Sequence, residues 1–294
     1  MNSGILILNK PEGISSTFAG NICKKILKTK KLGHLGTLDP FATGVLPIAV
    51  NDGTKAIPYI KIDKKTYEFE IKFGEKTNTG DKTGEIVETS NLIPNIEQIQ
   101  NTIRTFIGEI FQTPHAFSAI KIDGKRAYDI ARSGQIPNIK ARKTTIFGLK
   151  LLEQTAENIY KFSATVSPGT YIRTLSEDIA KSLETLGHTI SLKRTMDGKF
   201  SIEQAISLDN LREKCENLEC VLIPPEDVLD DIPVIFISDL DAENLMKGRT
   251  ISVSDRFSDG TTCSAISPGG FLGIVQYDNE CINPKRIIKI FERS

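Results

Sequence analysis

Between residues 66 and 73 apolar and polar positions alternate without a break. Tyr67, Phe69, Ile71 and Phe73 fall on one face, and Glu68, Glu70 and Lys72 on the other. A period of two predicts a half-buried strand. Residues 159–166 alternate in the same way, and residues 5–8 are a short apolar run closed by the turn Lys10-Pro11-Glu12-Gly13, which reads as a buried strand. Elsewhere the period lengthens. Behind Ser16 or Thr17 as N-cap, Phe18, Ile22 and Ile26 recur every four residues; behind Asn95, a stripe of Ile96, Ile99, Ile103, Phe106 and Ile107 runs up to Gly108. Behind Gly169 comes the strongest helical pattern in the chain, Ile172, Leu175, Ile179, Leu183 and Leu186. Residues 120–125 carry an Asp123-Gly124 turn, residues 126–132 predict a short helix stopped by Gly134, and the Thr/Asn/Gly/Asp-rich stretch 77–84 reads as loop. Strands and helices do not alternate as βαβ units, so the fold class expected is α+β: a mixed, mainly antiparallel sheet with peripheral helices.

Pro224-Pro225 and the acidic stretch 226–231 predict a linker, and the β-rich remainder, with turns at Gly248 and Gly269-Gly270, predicts a small separate barrel. The expected domains are residues 1–232 and 233–294, which fits a chain of 294 residues at ~150 per domain. No apolar run approaches the ~18 residues of a membrane span, and the first residues lack both the basic start and the apolar length of a signal peptide. A cytoplasmic protein with no membrane association is expected.

Charge changes the picture only when it is read locally. Lys+Arg and Asp+Glu both number 37. Residues 21–38 nevertheless hold five lysines and no acid, and residues 121–145 hold seven basic residues against Asp123 and Asp129. Residues 201–231 reverse the sign, with nine acids against Arg212 and Lys214. One basic working face and one solvated acidic back follow, a pattern compatible with nucleic acid despite zero net charge. The five cysteines form no C-x-x-C pair, and His34, His115 and His188 share no ligand spacing with them. Neither a metal site nor a disulfide framework is expected.

Two segments are dense enough to carry chemistry. Residues 33–47, GHLGTLDPFATGVLP, place three glycines and two prolines around Asp39, fixing irregular backbone of the kind that presents functional side chains. An isolated Asp-Pro merely starts a turn, and Gly33-His34-Leu35-Gly36 alone is a weak match to a phosphate clamp. The second segment, Gly169-Thr170-Tyr171-Ile172-Arg173-Thr174, puts an arginine in the first turn of the strongest helix. The positive end of the helix dipole disfavours a cation there, so Arg173 should have a specific anionic partner.

These residues resemble the bacterial tRNA pseudouridine synthase B (TruB) family, whose signature reads GHxGTLDPxAxGVLP. Residues 4–11 look like its opening GxLxLxKPxG strand, Lys65-Thr66-Tyr67 its KxY strand, and Ser118-Ala119-Ile120-Lys121 through Ala131-Arg132 its SAxK…G…AR insertion. Residues 169–173 match GTYIR, and Leu192-Lys193-Arg194-Thr195 through Phe200 is similar to LRRTxxGxF. The motifs keep the family's order over residues 4–200. The last ~60 residues, with Lys247-Gly248-Arg249, resemble the PUA-like RNA-binding domain that ends many members. His115 and Phe117 stand where Pro and Tyr are commoner, Lys193 where Arg is usual and Asn9 where Asp is common.

The resemblance implies the pseudouridine synthase fold with an RNA-binding thumb insertion over about residues 114–146. It implies isomerisation of the T-loop uridine at position 55 of tRNA without cofactor: the N1–C1′ bond breaks and the ribose is rejoined to C5 of the same base. Asp39 matches the nucleophile, Arg173 its counter-ion, and Tyr67 the aromatic that stacks on a flipped base and assists proton removal. Tyr171 and Leu192 match positions lining the base pocket, His34 a contact to the RNA loop, and Lys121, Lys125 and Arg126 phosphate contacts of the insertion. The partner implied is the T-stem-loop of tRNA, bound by a monomer that requires no protein partner. Two alternatives stand beside this: a synthase acting on another RNA, and a non-catalytic tRNA-binding or tRNA-folding protein.

Overall fold

The computed structural model describes residues 3–288 except 116–120, 123, 134, 136, 215–220 and 255. Ser118, Ala119 and Ile120 of the insertion motif, Phe117, Asp123, Gly134, Cys215 and Cys220 therefore lie outside the described residues, as does the chain beyond 288. The backbone divides into two compact units. Residues 1–39, 45–61 and 203–294 make the first, residues 40–44 and 62–202 the second.

The first unit opens with the expected strand, β1 (Gly4–Lys10), whose Ile5, Leu6, Ile7 and Leu8 are all buried. Helix α1 (Ser16–Ile26) follows, capped by Ser15, whose side-chain oxygen accepts from the Phe18 amide at 3.1 Å. The cap is thus one residue earlier than expected, and the buried face is not the Phe18 stripe. Ser16, Ala19, Gly20 and Cys23 face inward while Phe18 is exposed. The reason is close approach: a Cβ on Gly20 would stand 3.2 Å from Leu32 Cδ2, so small residues are required on that face. Strand β2 (Leu32–His34) pairs antiparallel with β3 (Thr43–Val50), which neighbours β1.

The second unit is built on β4 (Lys65–Phe73), which shows the alternation read from the sequence: Tyr67, Phe69, Ile71 and Phe73 are buried. A hairpin of β5 (Glu75–Thr77) and β6 (Ile86–Thr89) frames the 77–84 loop. Helix α2 (Ile96–Arg104) starts at Asn95 with a reciprocal capping box to Gln98. It ends before Phe106, and only Ile99 and Ile103 of the predicted stripe are buried within it; Ile96 and Ile107 are exposed. Strand β7 (Gly108–Gln112) leads to the insertion. There the short strands β8 (Lys121–Ile122) and β9 (Lys125–Arg126) pair around Gly124, at φ +85°, and α3 (Ala127–Arg132) follows.

Three further long elements complete this unit. Strand β10 (Arg142–Ala156) pairs antiparallel with β7 and with β11 (Ile159–Val166), and β11 pairs with β4. Helix α4 (Ile172–Ser182) is the predicted helix, but it stops before Leu186 because the chain turns through Glu184 at φ +58°. Strand β12 (Gly187–Asp197) lies on the other side of β4, with β13 (Phe200–Ser201) beside it and Thr43 and Gly44 of β3 running parallel to it. The order β12-β4-β11-β10-β7 is antiparallel throughout. Helix α4 covers the face that carries Ile71 and Phe73, approaching so closely that a Cβ on Gly187 would meet Ala180 Cβ at 2.9 Å and Ile71 Cγ2 at 3.1 Å.

The chain returns to the first unit with α5 (Leu208–Lys214) and β14 (Leu222–Ile223), which pairs with β1. Its last part is a curled five-stranded sheet. The elements are β15 (Val234–Phe236), α6 (Asp239–Met246), β16 (Ile251–Ser252), β17 (Thr261–Ser267), β18 (Gly270–Asp278) and β19 (Cys281–Ile287), with strands ordered β15-β17-β18-β19-β16. Ile235, Leu245, Cys263, Val275 and Ile282 form its core. The fold class is α+β, with mainly antiparallel sheet, few helices and a β-rich C-terminal sheet. Among the described residues no helix is long and apolar enough to cross a membrane.

Candidate active site

In the first unit the candidate nucleophile Asp39 ends a segment that is pinned at several points. Ser16 Oγ donates to Leu38 O at 3.0 Å and accepts from the Leu38 amide at 2.8 Å, while the Leu35 amide donates to Pro47 O at 2.9 Å. The buried serine of α1 therefore holds the residue next to Asp39, and Gly36, at φ +108°, permits the turn before it. His34 Nδ1 donates to Gly36 O at 2.6 Å, which fixes the direction of the ring.

The same unit supplies a cation that sequence reasoning missed. Lys10 is fully buried at the end of β1, and its Nζ donates to Pro11 O (2.8 Å) and Ile14 O (2.7 Å). Burial lowers its pKa to about 8, while the negative charges of Asp39 and Glu12 pull it back up. Its signal was the Lys-Pro of the opening motif, which by itself reads only as a turn.

In the second unit Tyr67 is buried on β4, opposite Ala164 of β11 and Arg194 of β12. Leu192 pairs with Phe69, one step along, so Tyr67 and Leu192 are diagonal neighbours on one face of the sheet. The same two strands carry a group of charges: Arg194 Nη2 is 3.1 Å from Asp197 Oδ2, and Lys65 Nζ is 3.1 Å from Asp197 Oδ1. Both Arg194 and Asp197 are fully buried. Desolvation and the neighbouring guanidinium lower the Lys65 pKa, against the pull of Asp197. Gly44 has to be glycine here, at φ +99° and with the Arg194 carbonyl oxygen filling the place a Cβ would take.

Arg173 has the anionic partner that its place in the first turn of α4 demanded, and within this unit it is Asp81. Nη1 lies 3.3 Å from Asp81 Oδ2, the two side chains being 4% and 6% exposed, and donates to Thr79 O at 2.9 Å. Asp81 is itself fixed, since its Oδ1 accepts from Thr79 Oγ1 and from the Thr83 amide, each at 2.9 Å. The turn is anchored to β12, where the Thr189 amide donates to Gly80 O at 3.1 Å and the Lys82 amide to Thr189 O at 3.0 Å. A stretch that reads as polar loop thus holds a buried carboxylate. One turn along α4, desolvation raises the Glu177 pKa to about 7, and the same cause lowers that of the facing His115 to about 4.

Tyr171 is the N-cap residue of α4, and its backbone is hydrogen-bonded by the Gln112 side chain. Lys121, Lys125 and Arg126 fall on the β8–β9 hairpin, with Lys121 opposite Arg126. The structure thus gathers Asp39, Lys10 and His34 in one unit and Tyr67, Leu192, Tyr171, Arg173 and Asp81 in the other.

Comparison with known proteins converges on one family. The sequence profile described as TruB family pseudouridylate synthase (N terminal domain) matches residues 24–172. A Caulobacter vibrioides protein named tRNA pseudouridine synthase B is 38% identical over 98% of this chain and 96% of its own length. A Rickettsia felis protein of the same name is 44% identical over 85% of this chain and 74% of its own. Two solved structures share the fold. One is a chain of an H/ACA RNP bound to a substrate RNA containing 2′-deoxyuridine, with TM-score 0.70 and 20% identity over 97% of this chain and 85% of that one. The other is a chain of a Cbf5-Nop10-Gar1 complex, with TM-score 0.69 and 22% identity over 97% and 84%. A profile match over half of the chain and a relative of this identity over nearly its full length leave one assignment: the chain belongs to the TruB family of pseudouridylate synthases, and is an isomerase.

Proposed function

We propose that this enzyme converts the T-loop uridine at position 55 of tRNA to pseudouridine, with Asp39 as nucleophile. The reading rests on relatives named for tRNA. The single observation that carries Asp39 is its setting: a carboxylate on pinned, non-repetitive backbone, with the desolvated ammonium of Lys10 interacting with it. A carboxylate that must stay ionised in a site emptied of water needs fixed positive charge; Lys10 provides it within the same unit, and the resemblance to the family gives Arg173 the counter-ion role.

Breaking N1–C1′ and forming a bond to C5 exchanges one bond for another within the same nucleotide, so no redox partner or external group enters. Asp39 forms a covalent intermediate that retains the fragments while the base turns. Tyr67 stacks on the flipped base and assists removal of the C5 proton, and Tyr171 and Leu192 line the pocket. Asp81 holds Arg173 in place and is a positioning residue. His34 meets the RNA loop, Lys121, Lys125 and Arg126 take phosphates, and residues 233–294 act as a PUA-like RNA-binding domain behind a catalytic domain of residues 1–232. The protein works as a cytoplasmic monomer without a cofactor.

The test is Asp39→Asn. Asparagine keeps the size and polarity of the side chain but cannot form the adduct, so turnover should fall on the order of 10⁴-fold or more while hairpin affinity stays near wild type. Appreciable pseudouridine from the pure variant would remove Asp39 from this role.

A further inference from the structure

The first turn of α4 carries Tyr171 and Arg173, yet its own sequence does little to fix it. Its N-cap residue, Tyr171, makes no side-chain cap, no acid stands in the first turn, and Arg173 is a cation at the positive end of the helix. The turn before it runs through Gly169 at φ +87°. The missing restraint comes from another element. Gln112, the last residue of β7 and 1% exposed, donates from Nε2 to Tyr171 O at 3.3 Å and accepts at Oε1 from the Tyr171 amide at 3.0 Å.

We propose that Gln112 is a positioning residue for the reaction, fixing Tyr171 and Arg173 by gripping both backbone polar groups of the residue that opens the helix. The side chain suits the task. A carboxamide offers one donor and one acceptor side by side, matching the C=O and N–H of one peptide residue; glutamate offers acceptors only, and asparagine is a methylene short. Independent contacts brace the same region. Thr145 of β10 donates from its amide to Ser167 Oγ (2.9 Å) and accepts at its carbonyl from the Ser167 amide (2.8 Å). Gln112 itself is paired in register with Arg142 of β10. His115, three residues beyond Gln112, places Nε2 3.9 Å from Glu177 Oε1 on the next turn of α4. The two strands that flank the insertion therefore hold the segment from which Tyr171 and Arg173 project.

This role rests on the pseudouridine synthase reading above, and its test uses the full chain with a T-stem-loop hairpin and a tRNA transcript. Gln112→Ala and Gln112→Met should lower kcat about 10- to 100-fold in protein that is folded at the assay temperature, with KM and hairpin Kd close to wild type, and the unpaired Tyr171 backbone should lower the melting temperature by a few degrees. Gln112→Glu keeps the acceptor for the Tyr171 amide and regains a donor only when protonated. Its kcat relative to wild type at the same pH should rise as the pH is lowered from about 8 to about 5.5. If Gln112→Ala does not fold, the Gln112→Glu pH series carries the test alone. The proposal is overturned if kcat per folded protein stays within about twofold of wild type, if the Gln112→Glu deficit does not change with pH, or if only Kd changes. A wild-type protein that forms no pseudouridine on either RNA refutes the functional reading itself, and this role with it.

Discussion

Replacing Asp81 by asparagine isolates the charge that faces Arg173. Nη1 and Oδ2 are 3.3 Å apart between side chains 4% and 6% exposed. At an effective dielectric of about 20 that separation corresponds to about 5 kcal/mol of Coulomb attraction, a gross figure from which the desolvation of both groups must be subtracted. Removing one partner of a buried pair typically costs about 3–5 kcal/mol. Asparagine retains an amide oxygen for the Thr79 hydroxyl and the Thr83 amide, and Arg173 keeps its bond to Thr79 O. A loss of about 2–3 kcal/mol in urea unfolding is therefore expected, with a fall in the initial rate of pseudouridine formation on the order of 10²-fold as the guanidinium loses its fixed direction. The double variant Asp81→Asn/Arg173→Met tests the cause. With no stranded cation it should be more stable than Asp81→Asn alone, though inactive. An Asp81→Asn protein with wild-type stability and rate, or a double variant less stable than the single one, would refute the pairing.

Burial raises the Glu177 pKa to about 7 from 4.5, so the folded state binds a proton that the unfolded state releases. Its contribution is complete below about pH 4.5 and lost as the pH rises through 7; Glu177→Gln should therefore gain stability relative to wild type across that window, by ~3 kcal/mol at most, and a constant difference between the two would contradict the assignment. Neutralising Lys121, Lys125 and Arg126 should weaken hairpin binding without moving the modified position, and the slope of log K against log salt should shrink by ~0.7–0.9 for each phosphate that is no longer neutralised. An unchanged slope would show that the β8–β9 hairpin does not touch RNA.

Local pattern revealed those elements whose burial is one-sided and simple. Strand β4 alternates because its even positions meet solvent or charged neighbours and its odd positions the core; residues 5–8 of β1 are all apolar because the strand is buried on both faces. Strand β12 escaped notice because its interior is polar: His188, Thr189, Arg194 and Asp197 are all buried, and His188, Thr189 and Asp197 meet Glu75, Ser176 and Lys65, which lie elsewhere in the sequence. Strand β10 escaped for the opposite reason, its second half being largely exposed and its register broken by irregularities. Helix α1 misled because close packing selected small residues for the inner face and left Phe18 outside. At the candidate site the motif residues themselves were legible, and the demand of Arg173 for an anion followed from the helix dipole alone. Asp81, Lys10 and Gln112 were not, because each acquires its meaning from a residue that only the tertiary fold brings near.

The most direct test of the central claim is to incubate the pure protein with unmodified tRNA transcript and map pseudouridine at single-nucleotide resolution, with Asp39→Asn in parallel. One modified position is expected, U55 of the T-loop, formed without added cofactor or guide, reproduced on the isolated T-stem-loop hairpin and absent with Asp39→Asn. Modification elsewhere, or a tRNA that binds and is released unmodified, would contradict it.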